Sequence, residues 1–532
     1  MKKLIITAIT GIWMSTSLAQ RTMVIPMPYH TINLSSKSIF QPKHIYYTDP
    51  SLKEEAAFLK KKWGNNIKLK AKKKISGEKG IWLTISDSIL SDEGYSMHAR
   101  NGQVVITGKN DRGVFYGIQT LFQQQSGDSI QECIIEDSPR FGWRGLMLDE
   151  ARHFFGKEKV KQLLDLMAYF KMNKFHWHLT DEQGWRIEIK KYPDLTLIGG
   201  KGDWSNPTGQ TAAYYTQEDI RELVTYAQER HIEVIPEIDM PGHATAANKA
   251  YPEFSGGGTK EHPDFTFNVG KEETYTFLTN ILREISGLFP TRYLHIGGDE
   301  VAFGIEAWKN NTAIQKLMQR EGMTDVKEAE RYFMHRITDS IHSLGRQLIG
   351  WDELLDLHTD PQQTTIMWWR HDRPNGLKES LSKGYSTILC PRRPLYFDFI
   401  QQKDHKWGRV WNGFCPLEDV YSFPDKGFAT WKTTDSLKRY ILGIQANVWT
   451  ERIHNTERFD FMIYPRLCAL AESGWSMPEK KEYDDFKRRM ETAYKLFDSL
   501  HIYYFDERNT HRHPEPTGPT QKKEDPSMDF RD

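Results

Sequence analysis

The chain has 532 residues, enough for more than one core, because single cores stop growing at about 250–300 residues. Its 71 basic and 71 acidic side chains cancel, which leaves no net field to attract nucleic acid or an anionic membrane and favours a neutral or weakly charged partner. Aromatic residues make up 12% of the chain and 16 of them are Trp; most belong in the core, but a surplus of flat apolar rings is also what a protein stacks on sugar faces.

The first residues read as a secretory signal peptide over 1–19: Lys2 and Lys3, an apolar stretch over 4–13, then Ser17-Leu18-Ala19 ahead of Gln20. A secreted or periplasmic location is therefore expected. The stretch is shorter than the ~20 residues of a membrane span, no later segment is long enough, and no Cys follows it to carry a lipid. Cys133, Cys390, Cys415 and Cys468 form no Cys-x-x-Cys pair, so neither a zinc site nor a disulfide framework is indicated, although one bridge stays open.

Residues 20–140 mix Lys-rich helical stretches with short strands at 81–85 and 104–107. They end in a helix over 112–125 with Phe115, Ile118, Leu121 and Phe122 on one face. This reads as a small α+β domain, and because no titratable cluster lies in it, as a scaffold. After Asp137-Ser138-Pro139-Arg140 strands alternate with amphipathic helices, the pattern of a parallel sheet with helical crossovers. Strands are expected at 143–148, 174–179, 232–238, 293–296, 347–351, 365–369, 385–389 and 442–448. Eight of them fit a closed β/α (TIM) barrel over 141–506. Thr216 with Asp219 predicts a capped start for the helix that carries Ile220, Leu223, Val224 and Ala227. The stretch 391–440 is too long for an ordinary connection and is expected to reach over the site. The tail, 507–532, is rich in Pro and charge and is expected to be disordered.

Barrel enzymes place their chemistry where strands end, and polar residues crowd those positions here. Arg144, Asp149, Arg152 and His153 go with the first strand; His176, His178, Asp181 and Glu182 with the second; Glu237, Asp239 and His243 with the third. The fourth ends in Gly297-Gly298-Asp299-Glu300. Asp352 and Glu353 follow the fifth, Trp368-Trp369-Arg370 the sixth, and Trp449 and Glu451 the eighth. Adjacent carboxylates disfavour each other's charge, so one of Asp299 and Glu300 should keep a proton near neutral pH while the other stays charged. Asp-Glu also occurs at five other places in the chain; the Gly-Gly distinguishes this copy, by permitting unusual dihedrals and leaving room for a ligand beside the strand end.

The stretches Arg144-Gly145-Leu146-Met147-Leu148-Asp149, His176-Trp177-His178-Leu179-Thr180-Asp181, Pro236-Glu237-Ile238-Asp239-Met240-Pro241-Gly242-His243, His295-Ile296-Gly297-Gly298-Asp299-Glu300 and Gln445-Ala446-Asn447-Val448-Trp449-Thr450-Glu451 together resemble glycoside hydrolase family 20, the β-N-acetylhexosaminidases, over about 143–475. The segment before Arg140 resembles, more weakly, the small α+β domain that precedes that family's barrel. The resemblance implies an exo-acting, retaining glycosidase without a cofactor or metal, acting on glycans that end in N-acetylhexosamine. In it the substrate's own acetamido oxygen attacks the anomeric carbon. It further implies Glu300 as general acid and base, Asp299 and Tyr396 as the groups that orient the acetamido arm, and Asp181 with His243 as a relay to Glu300. Trp351, Trp369 (rather than Trp368, since strand alternation turns only one inward) and Trp449 become the aromatic walls. Arg144, Asp398 and Glu451 become hydroxyl ligands. One departure is Glu182, where many members carry a second Asp.

Two other readings compete. His176, His178, His243, His295 and Asp299 could form the metal site of an amidohydrolase-type barrel, though there the His pair ends the first strand and a bridging Lys is needed. A non-catalytic sugar-binding protein is the other; it would not need the acid.

Overall fold

The computed structural model describes residues 22–518, except 65, 203–210, 412 and 427–433. The expected signal peptide, 1–19, and the end of the expected tail, 519–532, lie outside the described residues. The chain divides into two compact units, one comprising residues up to 24 with 28–137, the other 25–27 with 138–532.

The first unit is built on a mixed sheet of β1 (His30–Ile39), β2 (His44–Tyr47), β3 (Lys68–Ala71), β4 (Gly80–Ile85), β5 (Tyr95–Arg100), β6 (Gln103–Gly108), β7 (Gln125–Ser126) and β8 (Ser129–Asp137). The strand order is β1-β8-β5-β6-β4-β2-β3, with β7 paired to β8. Helix Asp111–Gln124 starts where the Asn110 side chain accepts from the Arg112 and Gly113 amides, two of the donors a helix start leaves unpaired. It buries Phe115, Ile118 and Leu121, the face expected from their spacing of three.

The second unit is a closed parallel barrel of β9 (Trp143–Asp149), β10 (Lys174–His178), β11 (Glu233–Glu237), β14 (Tyr293–His295), β15 (Gln347–Trp351), β16 (Thr364–Trp368), β17 (Ser386–Leu389) and β18 (Ile441–Val448). A short ribbon, β12 (Ser255–Gly257) with β13 (Thr266–Phe267), interrupts the order between β11 and β14. Seven of the eight barrel pairings join strands that are neighbours in chain order, and β18 closes the ring on β9 from Gly443↔Trp143 to Val448↔Leu148. Alternation turns Met147, Ile235, Ile349, Met367 and Ile388 into one packed interior, so the barrel is a core and chemistry is left to its ends. Helix Gln217–Gln228 carries the expected capping box, with Thr216 and Asp219 each bonding the other's backbone amide.

After β17 the chain makes no ordinary crossover. Short helices at Leu417–Ser422 and Asp435–Lys438 punctuate it, and isolated bridges Tyr396↔Asn447 and Phe399↔Arg409 tie its first part beside β18. The tail corrects the expectation over 507–518. Glu515 accepts from the Lys406 and Trp407 amides at 2.7 and 2.8 Å, Arg458 donates to the Pro516 carbonyl at 2.8 Å, and Arg512 pairs with Asp498 at 2.5 Å. Composition counts Pro and charge but does not register that those charges meet matching partners.

Helices Arg466–Trp475 and Tyr483–Ser499 are joined by a fully buried ion pair: Arg489 donates through both terminal nitrogens to Glu472, at 2.5 and 2.9 Å. Removing one member strands the other's charge in a dry interior. Arg489→Met is therefore expected to lower unfolding stability by about 3–5 kcal/mol, read as a fall in denaturant midpoint at unchanged slope.

Candidate active site

At the C-terminal rim of the barrel the chain from β9 turns on Asp149, whose Oδ1 accepts from the Ala151 and Arg152 amides and whose Oδ2 accepts from Thr450. This fold of the loop carries Arg152 inward, where its Nη2 lies 2.8 Å from Asp181 Oδ2 and its guanidinium sits 5.1 Å from the centre of the Trp449 ring. Arg144 goes elsewhere. As the second residue of β9 it lies at the opposite end of the strand, fully buried, donating to the carbonyls of Lys171 and Phe141 and packing on Trp475. The structure thus corrects the assignment of Arg144 to the sugar: strand ends carry the chemistry, and among the first strand's arginines only Arg152 follows one.

Four other predicted residues form a chain. Asp181 receives His178 Nε2 at 2.9 Å on one oxygen and His243 Nδ1 at 3.0 Å on the other. His243 Nε2 then points at Glu300 Oε2, 3.4 Å away, and at Asp299 Oδ2, 3.8 Å away. His243 and Glu300 both have φ of +52°, a left-handed conformation that non-glycine residues avoid unless the surroundings impose it. Gly297 and Gly298 also take positive φ, as expected, but the room at Gly297 serves a different group. A Cβ there would meet Asp239 Oδ1 at 1.9 Å, so the space is filled by that carboxylate and not by a ligand.

The electrostatics separate the adjacent pair. Burial, reinforced by Asp239, pushes Asp299 well above the usual carboxylate range. Burial works the same way on Glu300 but is outweighed by the hydrogen bond and charge of His243 and by Arg152 and Arg409, which hold it below its ordinary value. Of the adjacent pair it is therefore Asp299 that is pushed towards keeping the expected proton. Burial disfavours a charged His243, yet Asp181 and Asp239 more than compensate and raise it well above an ordinary histidine. Asp181, despite burial, is held well below its usual range by Arg152 and His243.

Trp351, Trp369, Tyr396 and Trp449 gather over the barrel interior in one cluster that Trp368 does not join. The Trp369 and Tyr396 rings lie nearly parallel with centroids 6.3 Å apart, and Trp351 and Trp449 are 5.9 Å apart. Carboxylates anchor two of these walls: Trp351 Nε1 donates to Glu237 at 3.0 Å and Trp369 Nε1 to Glu353 at 3.0 Å. Across from them Arg409 bonds both Asp398 and Glu451, the latter at 2.6 Å. Burial pushes Asp398 up to about 6 even so. Glu182 takes His262 on its two oxygens at 3.0 and 3.1 Å, and that imidazole stacks on Phe303. Beside Glu300 a cavity of about 400 Å³ opens between Phe303, Glu353 and Arg370.

Arg152, Arg409, Glu237 and Glu353 are therefore site residues that no role had been given. The strand-end rule could have found Arg152, Glu237 and Glu353; Arg409 follows no strand, and nothing in its local sequence marks it. Of the candidate metal ligands, His176 and His295 meet Glu237, His178 meets Glu237 and Asp239, and His243 and Asp299 meet Asp239; the contacts of His176 and His295 with Glu237 are 3.0 Å, a hydrogen-bond separation. The four cysteines are buried and free.

Gly297→Ala is the sharpest test of this packing, since it adds both a clash with Asp239 and a strained φ of +66°. A folded protein with activity reduced by about a hundredfold or more is expected, because displacing a reacting group by ~1 Å has that effect. Wild-type kinetics in this variant would show that the Asp299–Glu300 turn tolerates displacement.

The sequence profile described as glycosyl hydrolase family 20, catalytic domain, matches residues 141–478, and that of the family's domain 2 matches residues 21–138. A β-hexosaminidase of Porphyromonas gingivalis is 38% identical over 444 residues, 80% of this chain and 56% of the relative. One from Vibrio furnissii is 38% identical over 405 residues, 72% of this chain and 65% of the relative. The chain thus spans between about half and two thirds of the length of these two curated relatives. Among solved structures, the family 20 exo-β-N-acetylglucosaminidase of Vibrio harveyi in complex with N-acetylglucosamine superposes with a TM-score of 0.83 at 30% identity, over 91% of this chain and 78% of that one. Matched through both its barrel and the unit before it, the chain belongs to glycosyl hydrolase family 20.

Proposed function

We propose that the protein is an exo-acting, retaining β-N-acetylhexosaminidase that releases terminal N-acetylhexosamine by substrate-assisted catalysis. The observation that carries this reading is the junction of Asp299 and Glu300 with the Asp181–His243 pair on one side and a box of Trp351, Trp369, Tyr396 and Trp449 on the other. The box suits an acetamido methyl and a pyranose face, and no second carboxylate is needed as nucleophile when the substrate supplies its own oxygen. Asp299, once a sugar is bound, gives up its proton to face the acetamido N–H and the positive charge that develops on the oxazolinium-like intermediate. Glu300 takes up, by way of His243, the proton that Asp299 releases and passes it to the leaving oxygen, then accepts one from the attacking water in the second half of the reaction. Tyr396 aims the acetamido oxygen. Proximity and fixed charge do the rest.

Arg152, with Asp398 and Glu451 held by Arg409, lies where the hydroxyls far from the bond to be cut would reach. Occupying that end closes the pocket behind the terminal sugar, which is why release from the non-reducing end is part of the proposal. Residues 1–19 further support export to the periplasm or medium, testable by sequencing the N-terminus of secreted protein.

Glu300→Gln is expected to lose about a hundredfold or more on substrates with poor leaving groups and far less on activated aryl glycosides. Asp299→Ala should impair both kinds, since it acts on the acetamido arm. A thiazoline mimic of the bicyclic intermediate should inhibit strongly. Equal, mild losses in both mutants, or undiminished cleavage of glycosides lacking the N-acyl group, would sink the mechanism. Assay against N-acetylglucosaminides and N-acetylgalactosaminides of different linkage identifies the sugar.

A further inference from the structure

The hydrogen-bonded chain at Glu300 does not stop at Asp181. Beyond it His178 offers Nε2 to Asp181 at 2.9 Å and Nδ1 to Glu237 Oε2 at 2.5 Å, so both ring nitrogens face carboxylate oxygens. Only a doubly protonated imidazole donates in both directions, as the geometry asks. Glu237 in turn holds the Trp351 indole through its other oxygen at 3.0 Å, and all three side chains are at most 1% exposed. Resting on the proposed function, we infer that Glu237 and His178 are positioning residues for the reaction, a buried pair that extends the relay into the barrel core and makes His243 a readier proton donor to Glu300.

The argument is one of shared charge. Asp181 is a single carboxylate surrounded by His178, His243 and Arg152, with the Glu182 amide at 2.6 Å as a further donor. Each added cation on Asp181 weakens its hold on the others, so a charged His178 loosens the proton on His243 and eases its passage to Glu300. The remaining neighbours do not take over this role. His176 receives the Gln445 amide on Nδ1 and faces Glu237 with Nε2, an arrangement that suits the neutral ring, and burial with His295 lowers it to about 4. Asp239, which faces His243, and Asp299 are both pushed up mainly by burial. Glu237 is held well below its ordinary value, against burial, by His178, His295 and His176. Glu182 pairs with His262 at 3.0 Å, and that imidazole also feels His243 and Glu300.

Glu237→Gln replaces the oxygen that faces His178 and His176 and keeps the one that faces Trp351 and His295. The Gln carbonyl still accepts from Trp351, while its amide faces His178 Nδ1 as a donor and forces that ring to be neutral. His243 then keeps its proton more tightly and Glu300 stays ionised to lower pH. The expected result is about a tenfold loss of kcat on poor leaving groups, little loss on activated aryl glycosides, nearly unchanged KM, and an alkaline limb of kcat/KM moved to lower pH by about one unit. His178→Gln, which leaves the Trp351 bond intact, should move the limb in the same direction and covers the case in which Glu237→Gln does not fold. In the full unliganded chain, ¹⁵N NMR of labelled imidazoles should find His178 doubly protonated near neutral pH and neutral in Glu237→Gln. An unmoved alkaline limb in folded variants, or a neutral His178 in the wild type, overturns the inference. The NMR readout needs no turnover, so a wild type that cleaves no N-acetylhexosaminide would defeat the proposed function while the state of His178 still decides the relay.

Discussion

The active end of this barrel depends on alternation of charge. Glu237, His178, Asp181, His243 and Glu300 run from the core to the rim with carboxylates and imidazoles in alternation, Arg152 pairs with Asp181 in the middle, and the charges of Arg152 and Arg409 also act on Glu300. Lone ions at such depth would each be penalised by several kcal/mol, whereas paired and hydrogen-bonded ones are tolerated and hold one another in place. That mutual dependence explains the separation of the adjacent pair: His243 stands nearer Glu300, at 3.4 Å, than Asp299, at 3.8 Å, and Asp239 adds to the burial that pushes Asp299 up.

The barrel supplies the other constraint. Parallel strands bring their C-terminal ends to one rim, and a backbone that alternates inward and outward sends Trp351 and Trp369 to the same side as the carboxylates. The indole nitrogens are then buried and must be satisfied, which Glu237 and Glu353 do. Aromatic walls and acid–base groups are thus not independent parts: Glu237 bonds a wall with one oxygen and the relay with the other. A change in either is felt by both.

The fold was largely legible in the sequence because its signals are local. Alternating strands and amphipathic helices, the Thr216 cap and the break after Asp137 follow from neighbouring residues, and the barrel strands lie within a residue or two of where periodicity put them. The site was legible where a motif coincided with a strand end, as at Asp181, His243 and Asp299-Glu300. It failed at Arg144, where a residue inside the right motif sits at the wrong end of its strand, and at Gly297, whose missing side chain makes way for Asp239, some sixty positions earlier in the chain. Arg409 was missed because it meets Asp398 and Glu451 only after a long excursion from the barrel.

The sequence by itself determined the class of architecture and the family, and singled out Asp299-Glu300 among six Asp-Glu pairs, since these rest on spacing and on local residue types. Only the tertiary structure decided which arginine reaches the rim, which of two adjacent carboxylates is pushed up and which held down, and how far the hydrogen-bonded chain runs into the core. The physical reason is that protonation and orientation are set by through-space neighbours, and at this site the deciding partners stand tens to hundreds of residues apart along the chain.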